Sequence, residues 1–229
     1  MGHKKLIRFR AIDTFNNVLQ YPENMKGNWH NHFGNNNPVT LELACGKGEY
    51  SVNLGRENKN RNFIGVDIKG NRIYTGAKAA LAEHLDNIAF LRINIGQITQ
   101  YFAPGEVEEI WIIFPDPFLR DGKAKNRLTH ERFLYSYQQI LKPGGLINLK
   151  TDSKELFDFT LETIEQQKCT IHEKIEDIYG KGKAVGALAI QTFYEKMHLA
   201  DNRTIYFVSF SLPADKINLT GRFEIKDEI

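Results

Sequence analysis

The sequence lacks an apolar run near the roughly 20 residues that a membrane-spanning helix needs, so no such span is predicted. The basic N-terminal segment, 1–10, is not followed by an apolar stretch with a small-residue cleavage site, so we do not expect a signal peptide. Only two cysteines occur, Cys45 and Cys169, without CxxC or Cys/His spacing. This scarcity excludes a disulfide scaffold and a zinc finger, predicts no metal site, and is typical of a reducing cytoplasm.

The sequence also lacks a large excess of either sign of charge, because 30 Lys and Arg against 28 Asp and Glu leave a formal net charge of +2. That balance does not identify a polyanionic partner, so the distribution of charge matters more. The stretch 120–132 has five basic against two acidic residues, a local net charge of +3. The basic residues are Arg120, Lys123, Lys125, Arg127 and Arg132. We expect this stretch to suit a phosphate backbone, with a solvated loop as the alternative.

Strand and helix patterns alternate from residue 39 onward. The apolar runs are nearly continuous, which indicates strands buried on both faces of a parallel sheet, and helical spacings lie between them. The runs are 39–43, 62–66, 88–93, 109–114 and 146–149. A further strand-like run, 204–212, suggests a last strand added at one edge. This order predicts a single α/β domain with a doubly wound sheet and right-handed crossovers.

Three parts of the chain are expected. Residues 1–37 are interpreted as an N-terminal basic arm and Asn-rich loop, 38–213 as the α/β domain, and 214–229 as a C-terminal tail. The stretch 28–37 is predicted to be a polar loop. Thr129 is a plausible N-cap for a helix through 133–141, which Lys142-Pro143-Gly144-Gly145 would end.

A glycine turn at Gly46 and Gly48 follows the first apolar strand. In open α/β sheets, ligands bind at the carboxyl ends of strands, and glycines let the backbone approach them closely. The dinucleotide fingerprint GxGxxG is incomplete, because Ser51 occupies its third glycine position. Glu42, just before the turn, would repel a pyrophosphate and attract an ammonium or sulfonium. The turn therefore favours S-adenosylmethionine over a nicotinamide dinucleotide.

Two carboxylates follow later strands. Asp67 lies 21 residues after Gly46, about the spacing at which an acidic residue accepts hydrogen bonds from ribose hydroxyls. Asp116 lies between Pro115 and Pro117, which fix φ and favour extended geometry before them. We therefore expect a stiff loop that holds the Asp116 carboxylate at the carboxyl edge of the sheet. A helix cap at Asp67 and an ordinary surface turn at Asp116 are the alternatives.

Taken together, these motifs resemble the bacterial tRNA (guanine-N7)-methyltransferases, a class I methyltransferase family, over about residues 37–212. The resemblance rests on Glu42-Leu43-Ala44-Cys45-Gly46-Lys47-Gly48, Gly65-Val66-Asp67, Phe114-Pro115-Asp116-Pro117, Asn126-Arg127-Leu128, Leu149-Lys150-Thr151-Asp152 and Thr192-Phe193-Tyr194-Glu195. It implies a Rossmann-like, mostly parallel, seven-stranded sheet with an antiparallel last strand. It also implies S-adenosyl-L-methionine as cofactor, S-adenosyl-L-homocysteine as product, tRNA as partner, and a monomer or homodimer. The implied reaction is methyl transfer to N7 of guanine-46 in the tRNA variable loop.

The resemblance also implies site residues. The implied cofactor-binding residues are Glu42, Gly46, Gly48, Asp67, Asn94 and Asp116. The implied substrate-binding residues are Arg120, Asp152, Thr192, Phe193, Tyr194 and Glu195. Asp116 would be the catalytic residue at the reaction centre. The sequence departs from the family pattern at Asp67 (commonly Glu), Asn94 (usually Asp), Phe118 (usually Trp) and Arg120 (usually Lys).

Three other functions stay open on the residues alone. The first is a methyltransferase acting on another RNA, or on a protein or a small molecule, and the 120–132 and 192–195 segments argue against the last two. The second is a non-catalytic module that binds nucleotide or RNA, against which the intact glycine turn and Asp116 argue. The third is a nicotinamide oxidoreductase, which Ser51 and Glu42 disfavour.

Overall fold

Strands with buried side chains on both faces form the centre of this protein, whose computed structural model describes residues 2–219. The strands are β1 (Val18–Gln20), β2 (Val39–Leu43), β3 (Asn62–Val66), β4 (Ile88–Arg92), β5 (Val107–Ile113), β6 (Leu141–Thr151), β7 (Thr170–Ile175) and β8 (Tyr206–Ser211). The helices are α1 (Gly2–Ala11), α2 (Trp29–Phe33), α3 (Glu49–Glu57), α4 (Gly70–Ala82), α5 (Glu131–Gln138), α6 (Lys154–Gln166) and α7 (Phe193–Ala200). Within the described part of the chain, none of the helices has the length and apolar character of a membrane span.

The sheet has the order β1-β4-β3-β2-β5-β6-β8-β7. Strands β1 to β6 pair with one another in parallel, whereas β8 pairs with both β6 and β7 in the antiparallel direction. This confirms the predicted α/β fold with a mostly parallel sheet and an antiparallel last strand. The strand order reverses between β2 and β5, and such a reversal opens a crevice at the carboxyl ends of the strands.

The sheet differs from the sequence prediction at its two edges. Eight strands are present in residues 2–219 instead of seven, and β8 lies between β6 and β7 instead of at the edge. Five of the six residues of β7 are exposed. An exposed strand needs few apolar residues, and the sequence of β7 accordingly contains no apolar run. The other edge strand, β1, is only three residues long and pairs with β4. Short or polar edge strands carry little of the periodic signal on which the prediction depends.

Two local predictions are wrong. The stretch 28–37 is not a solvated loop throughout, because Trp29 begins α2, is fully buried, donates from Nε1 to the Tyr101 carbonyl at 2.9 Å and stacks on Phe102. The N-cap of α5 is His130 and not Thr129, whose hydroxyl instead lies 2.8 Å from that of Thr160. A single buried aromatic residue thus anchors an otherwise polar segment.

The end of α5 also differs from the prediction. The helix ends at Gln138, and Leu141 already belongs to β6, so the Lys142-Pro143-Gly144-Gly145 segment lies inside the irregular start of that strand. The pairing of β5 with β6 shifts register here, between Val107 and Glu109 on β5. The proline and glycines therefore accompany a strand irregularity and do not end the helix.

The core lies on both faces of the sheet. On one face, Leu41 of β2 belongs to a cluster with Leu134 of α5 and Leu156 of α6. On the other face, Phe90 of β4 belongs to a cluster with α3 and α4 residues such as Ile73. Because helices cover the two faces, the carboxyl ends of the parallel strands remain accessible to a ligand.

Candidate active site

A cavity of about 430 Å³ opens at the carboxyl ends of the parallel strands. Residues that follow β2, β3, β4 and β5 line it, including Ala44, Asp67, Asn94 and Asp116. The structure thus brings three of the sequence-predicted site residues together. A second cavity of similar volume lies at the opposite ends of the strands beside Glu108 and contains none of the predicted site residues.

The two glycines of the turn after β2 have different functions. Both adopt positive φ, 57° at Gly46 and 68° at Gly48, a backbone region that favours glycine. A Cβ on Gly48 would collide with the ring of Phe90, so Gly48 allows the turn to pack against β4. A Cβ on Gly46 would meet nothing closer than the Ala44 carbonyl at 4.0 Å, which leaves room for a ligand against the backbone.

Glu42 lies in β2 directly beneath this turn and is 5% exposed. Its Oε2 accepts hydrogen bonds from the Ser51 backbone N–H, at 2.8 Å, and from the Ser51 hydroxyl. Burial raises the pKa of Glu42 to about 7, although the two Ser51 hydrogen bonds oppose the shift. Ser51, which the sequence shows only as a departure from the glycine fingerprint, is therefore the residue that holds Glu42 in place.

Asp67 joins two of the loops that line the cavity. Its Oδ2 accepts from the Gly46 N–H at 2.9 Å, and its Oδ1 accepts from the Lys69 N–H at 2.8 Å. Asn94 begins the short 3-10 helix Ile95–Gln100, and its Oδ1 accepts from the Gly96 N–H at 3.0 Å. Both side chains are thereby oriented by backbone N–H groups, and each oxygen retains a second lone pair for a ligand.

Asp116 lies on a loop with an unusual backbone. Phe114 and Phe118 adopt φ values of 46° and 43°, in the left-handed region that residues other than glycine rarely adopt. The exposed Asp116 accepts from the Phe118 N–H at 3.1 Å. Arg127 supports the loop by donating to the Pro117 carbonyl at 3.0 Å and to the Phe118 carbonyl at 3.2 Å.

The basic stretch contains two buried charged residues of opposite sign, Arg127 and Glu131. Arg127 is buried, and its guanidinium lies 4.5 Å from the ring centroid of Phe159. Arg120, in contrast, is exposed and starts the 3-10 helix Asp121–Asn126, which carries Lys123 and Lys125. Because one basic and one acidic residue are buried, the predicted excess of basic residues in 120–132 is unchanged, but the sequence misses the contribution of Arg127 to the Asp116 loop.

The predicted substrate residues after β6 and around α7 lie outside the cavity. Asp152 accepts from Arg203 at 2.8 Å and lies 3.4 Å from His198 Nδ1. Thr192 is the N-cap of α7, accepting from the Glu195 N–H at 3.2 Å. The Asp152 contacts join the loop between β6 and α6 to α7 and to the residues that follow it.

The side chains of Phe193, Tyr194 and Glu195 point in different directions. Phe193 and Tyr194 are 48% and 42% exposed, whereas Glu195 is fully buried. The Phe193 N–H donates to Glu49 Oε2 at 3.0 Å, and the Lys47 ammonium lies 3.9 Å from the Phe193 ring centroid. The 192–195 segment is therefore attached to the outer side of the glycine turn, a contact that no spacing in the sequence indicates.

The fold and the matching family define the class of this protein. The family described as "Putative methyltransferase" matches residues 36–208. Among solved structures, the 16S rRNA methyltransferase KamB is 13% identical with a TM-score of 0.62, covering 82% of this chain and 94% of that one. A 30S ribosomal A1408 methyltransferase from an uncultured bacterium is 19% identical with a TM-score of 0.60, covering 84% and 96%. The protein thus has a class I methyltransferase fold.

Relatives at higher identity narrow the class to a family. A tRNA (guanine-N(7)-)-methyltransferase from Bacteroides thetaiotaomicron is 42% identical over 226 residues, 95% of this chain and 89% of the relative. Enzymes of the same name from Porphyromonas gingivalis and Christiangramia forsetii are 45% and 43% identical, covering 88% and 93% of this chain and 86% and 100% of the relatives. The chain belongs to the tRNA (guanine-N7)-methyltransferase family, which confirms the resemblance noted in its motifs.

Proposed function

We propose that this protein transfers a methyl group from S-adenosyl-L-methionine to N7 of a guanine in tRNA, at position 46 of the variable loop. The observation that supports this most directly is the convergence of Asp67, Asn94 and Asp116 on one cavity in a member of this family. Each of these residues follows a different parallel strand, so their meeting depends on the fold.

The residues around the cavity fit the proposed cofactor. The cavity volume of about 430 Å³ is that of a small-molecule site. Gly46 leaves open space beside the backbone, and Glu42 places a buried carboxylate next to the turn. We assign Glu42 to the positively charged methionine part of the cofactor, Asp67 to the ribose and Asn94 to the adenine. When bound, S-adenosylmethionine supplies an electrophilic methyl group.

Asp116 is the proposed catalytic residue. Guanine N7 carries an in-plane lone pair and no proton, so its methylation needs alignment of the reactants more than it needs a general base. The methylated purine becomes cationic. A carboxylate on a strained loop, held by the Phe118 N–H, suits the stabilisation of that developing charge.

The surfaces beside the cavity fit an RNA substrate. N7 faces the major groove and is not masked by Watson–Crick pairing, so an enzyme can reach it from the outside. Exposed Arg120 offers a guanidinium for phosphate, and exposed Phe193 and Tyr194 offer rings on which bases could stack. We assign Asp152, Thr192 and Glu195 to the same substrate-binding region.

One assay tests this function against its alternatives. Purified protein is incubated with tritiated S-adenosylmethionine and bulk tRNA, and the RNA is then digested to nucleosides. We expect label in 7-methylguanosine, and its loss on a tRNA transcript in which guanine-46 is adenine. Label in another nucleoside would indicate a different RNA methyltransferase. Cofactor binding without any labelled product would indicate a non-catalytic module.

Replacing Arg120 by alanine is expected to raise the KM for tRNA about three- to tenfold and to leave kcat near the wild-type value. The reason is that one phosphate contact is lost while the reacting groups are untouched. The logarithmic salt dependence of tRNA binding should also become shallower by about one unit of slope. The measurement is filter binding and steady-state kinetics at several salt concentrations.

Lys59→Ala is the matched control for this experiment. Lys59 is exposed just before β3, at the end of the strands away from the cavity, and should leave both quantities unchanged. If Arg120→Ala behaves like Lys59→Ala, Arg120 does not contact the RNA.

A further inference from the structure

Lys150, near the end of β6, is fully buried. Lysine is almost never buried to this extent unless its charge is paired. Its ammonium lies 2.6 Å from Glu195 Oε1 and donates to the carbonyls of Leu188, at 2.9 Å, and Ile190, at 3.1 Å. These three acceptors match the three N–H groups of the ammonium, and all three belong to the chain that leads into α7 and to its first turn.

Glu195 depends on this lysine for its charge compensation. Besides Lys150, its side chain accepts one hydrogen bond, from the Tyr179 hydroxyl at 2.8 Å. Its Oε2 is buried and has no hydrogen-bond partner among residues 2–219. Loss of the Lys150 charge would leave a buried carboxylate without a cation, which is strongly unfavourable.

The first turn of α7 is held by polar contacts. Glu195 is the residue of α7 that is buried, whereas Phe193, Tyr194 and Met197 are exposed. Apolar packing holds the later part of α7, where half-buried Leu199 packs against the core, and the segment before α7, where Leu188 and Ile190 are buried. The segment before α7 is held on its other side by the Tyr50 hydroxyl, which donates to the Ala187 carbonyl at 2.6 Å. The Lys150–Glu195 pair is thus the fully buried contact of the first turn of α7, next to the exposed contacts of Phe193 with Glu49 and Lys47.

We propose that Lys150 is a positioning residue for the RNA substrate: its buried ammonium holds Glu195 and thereby places Phe193 and Tyr194 beside the active site. The proposal rests on the proposed function, because it concerns how the same enzyme presents its RNA-binding side chains. Lys150 itself is fully buried and acts through Glu195, not through the RNA.

The decisive variant is Lys150→Met, which keeps an unbranched side chain of similar volume and removes the charge. We expect the KM for tRNA to rise at least about tenfold, because the first turn of α7 is no longer held. The dissociation constant for S-adenosylmethionine should stay within about threefold of wild type, since Lys150 does not line the cavity. Hydrogen exchange should accelerate in peptides spanning 186–200 and not in β2 to β5.

Tyr179→Phe is a milder second variant, because Tyr179 is half-buried and contributes one hydrogen bond to Glu195. It should raise the KM for tRNA about threefold without changing cofactor affinity. Tyr135→Phe is its matched control: Tyr135 is a half-buried tyrosine on α5, packed against the opposite face of the sheet, and its substitution should change neither.

The outcomes separate the two proposals. A Lys150→Met protein that binds S-adenosylmethionine normally and methylates tRNA with the wild-type KM would overturn the positioning role of Lys150. If Lys150→Met does not fold, as judged by lost cofactor binding, an unchanged KM in Tyr179→Phe would overturn it. Failure of the wild-type protein to label tRNA in the same assay would instead contradict the proposed function.

Discussion

Replacing Asp116 by alanine is expected to lower kcat for tRNA methylation by about a hundredfold or more. The carboxylate is exposed in the cavity, on a loop where Phe114 and Phe118 both adopt positive φ. Its removal takes away the negative charge that we propose stabilises the cationic methylated purine. The affinity for S-adenosylmethionine should change little, because Glu42, Asp67 and the glycine turn are untouched. Single-turnover kinetics and calorimetry measure the two quantities separately.

Asp116→Asn separates charge from loop geometry. Asparagine keeps an oxygen that can accept from the Phe118 N–H, the hydrogen bond seen at 3.1 Å, but carries no charge. If charge stabilisation is the function of Asp116, the Asn and Ala variants lose similar activity. Recovery in Asp116→Asn alone would assign the residue to loop geometry, and full activity in Asp116→Ala would exclude it from the reaction.

The sequence predicts the location, although not the function, of residues that come soon after a buried strand. Asp67, Asn94 and Asp116 each come after an apolar run, and the carboxyl ends of parallel strands meet at one edge of the sheet. Their convergence on the cavity therefore follows from strand order alone. The direction of the side chains in α7 does not follow from strand order. The weak apolar pattern of this helix does not distinguish exposed Phe193 from buried Glu195.

The supporting residues could not be predicted, because their partners are distant in sequence and are polar. Lys150 and Glu195 are 45 residues apart, and nothing in the sequence distinguishes either of them from a charged residue on the surface. Arg127 counts as a basic residue of a solvated stretch until its contacts with Pro117 and Phe118 are seen. Polar partners of this kind have no periodicity, so only the folded chain identifies them.

The proposed cofactor and RNA sites share the glycine turn. Gly46 donates its N–H to Asp67, which lines the cavity, while Lys47 and Glu49, one and three residues later, contact Phe193 on the outer side. A change in the turn on one side is therefore passed directly to the other. We expect residues 46–50 to influence both ligands, although their side chains are divided between two surfaces.

Replacing Glu42 by glutamine is expected to weaken S-adenosylmethionine binding roughly tenfold or more at pH 8, because a buried carboxylate next to the cofactor's positive charge is lost. Glutamine has nearly the same volume and can still accept from the Ser51 N–H, so the turn should keep its shape. The measurement is isothermal titration calorimetry, with thermal unfolding of both proteins as the control for folding.

The pH dependence gives the same experiment a second readout. Burial raises the pKa of Glu42 to about 7 from the ordinary 4.5, so the cofactor-free folded protein binds more protons than the unfolded chain between these values. This contribution to stability is present at low pH and is lost as the pH rises through about 7. A cationic ligand favours the charged carboxylate, so wild-type affinity should strengthen between pH 6 and 8, by at most about tenfold per unit.

In Glu42→Gln, neither the stability nor the affinity for S-adenosylmethionine should show the pH dependence that the titration of Glu42 causes in the wild type. The variant should bind the cofactor more weakly than wild type at pH 8 and yet resist unfolding at least as well, because it no longer buries a charge there. Weaker binding combined with lower stability would indicate a disturbed turn instead of a lost charge. Dissociation constants that follow those of wild type from pH 6 to 8 would mean that the cofactor's positive charge is held by a group other than Glu42.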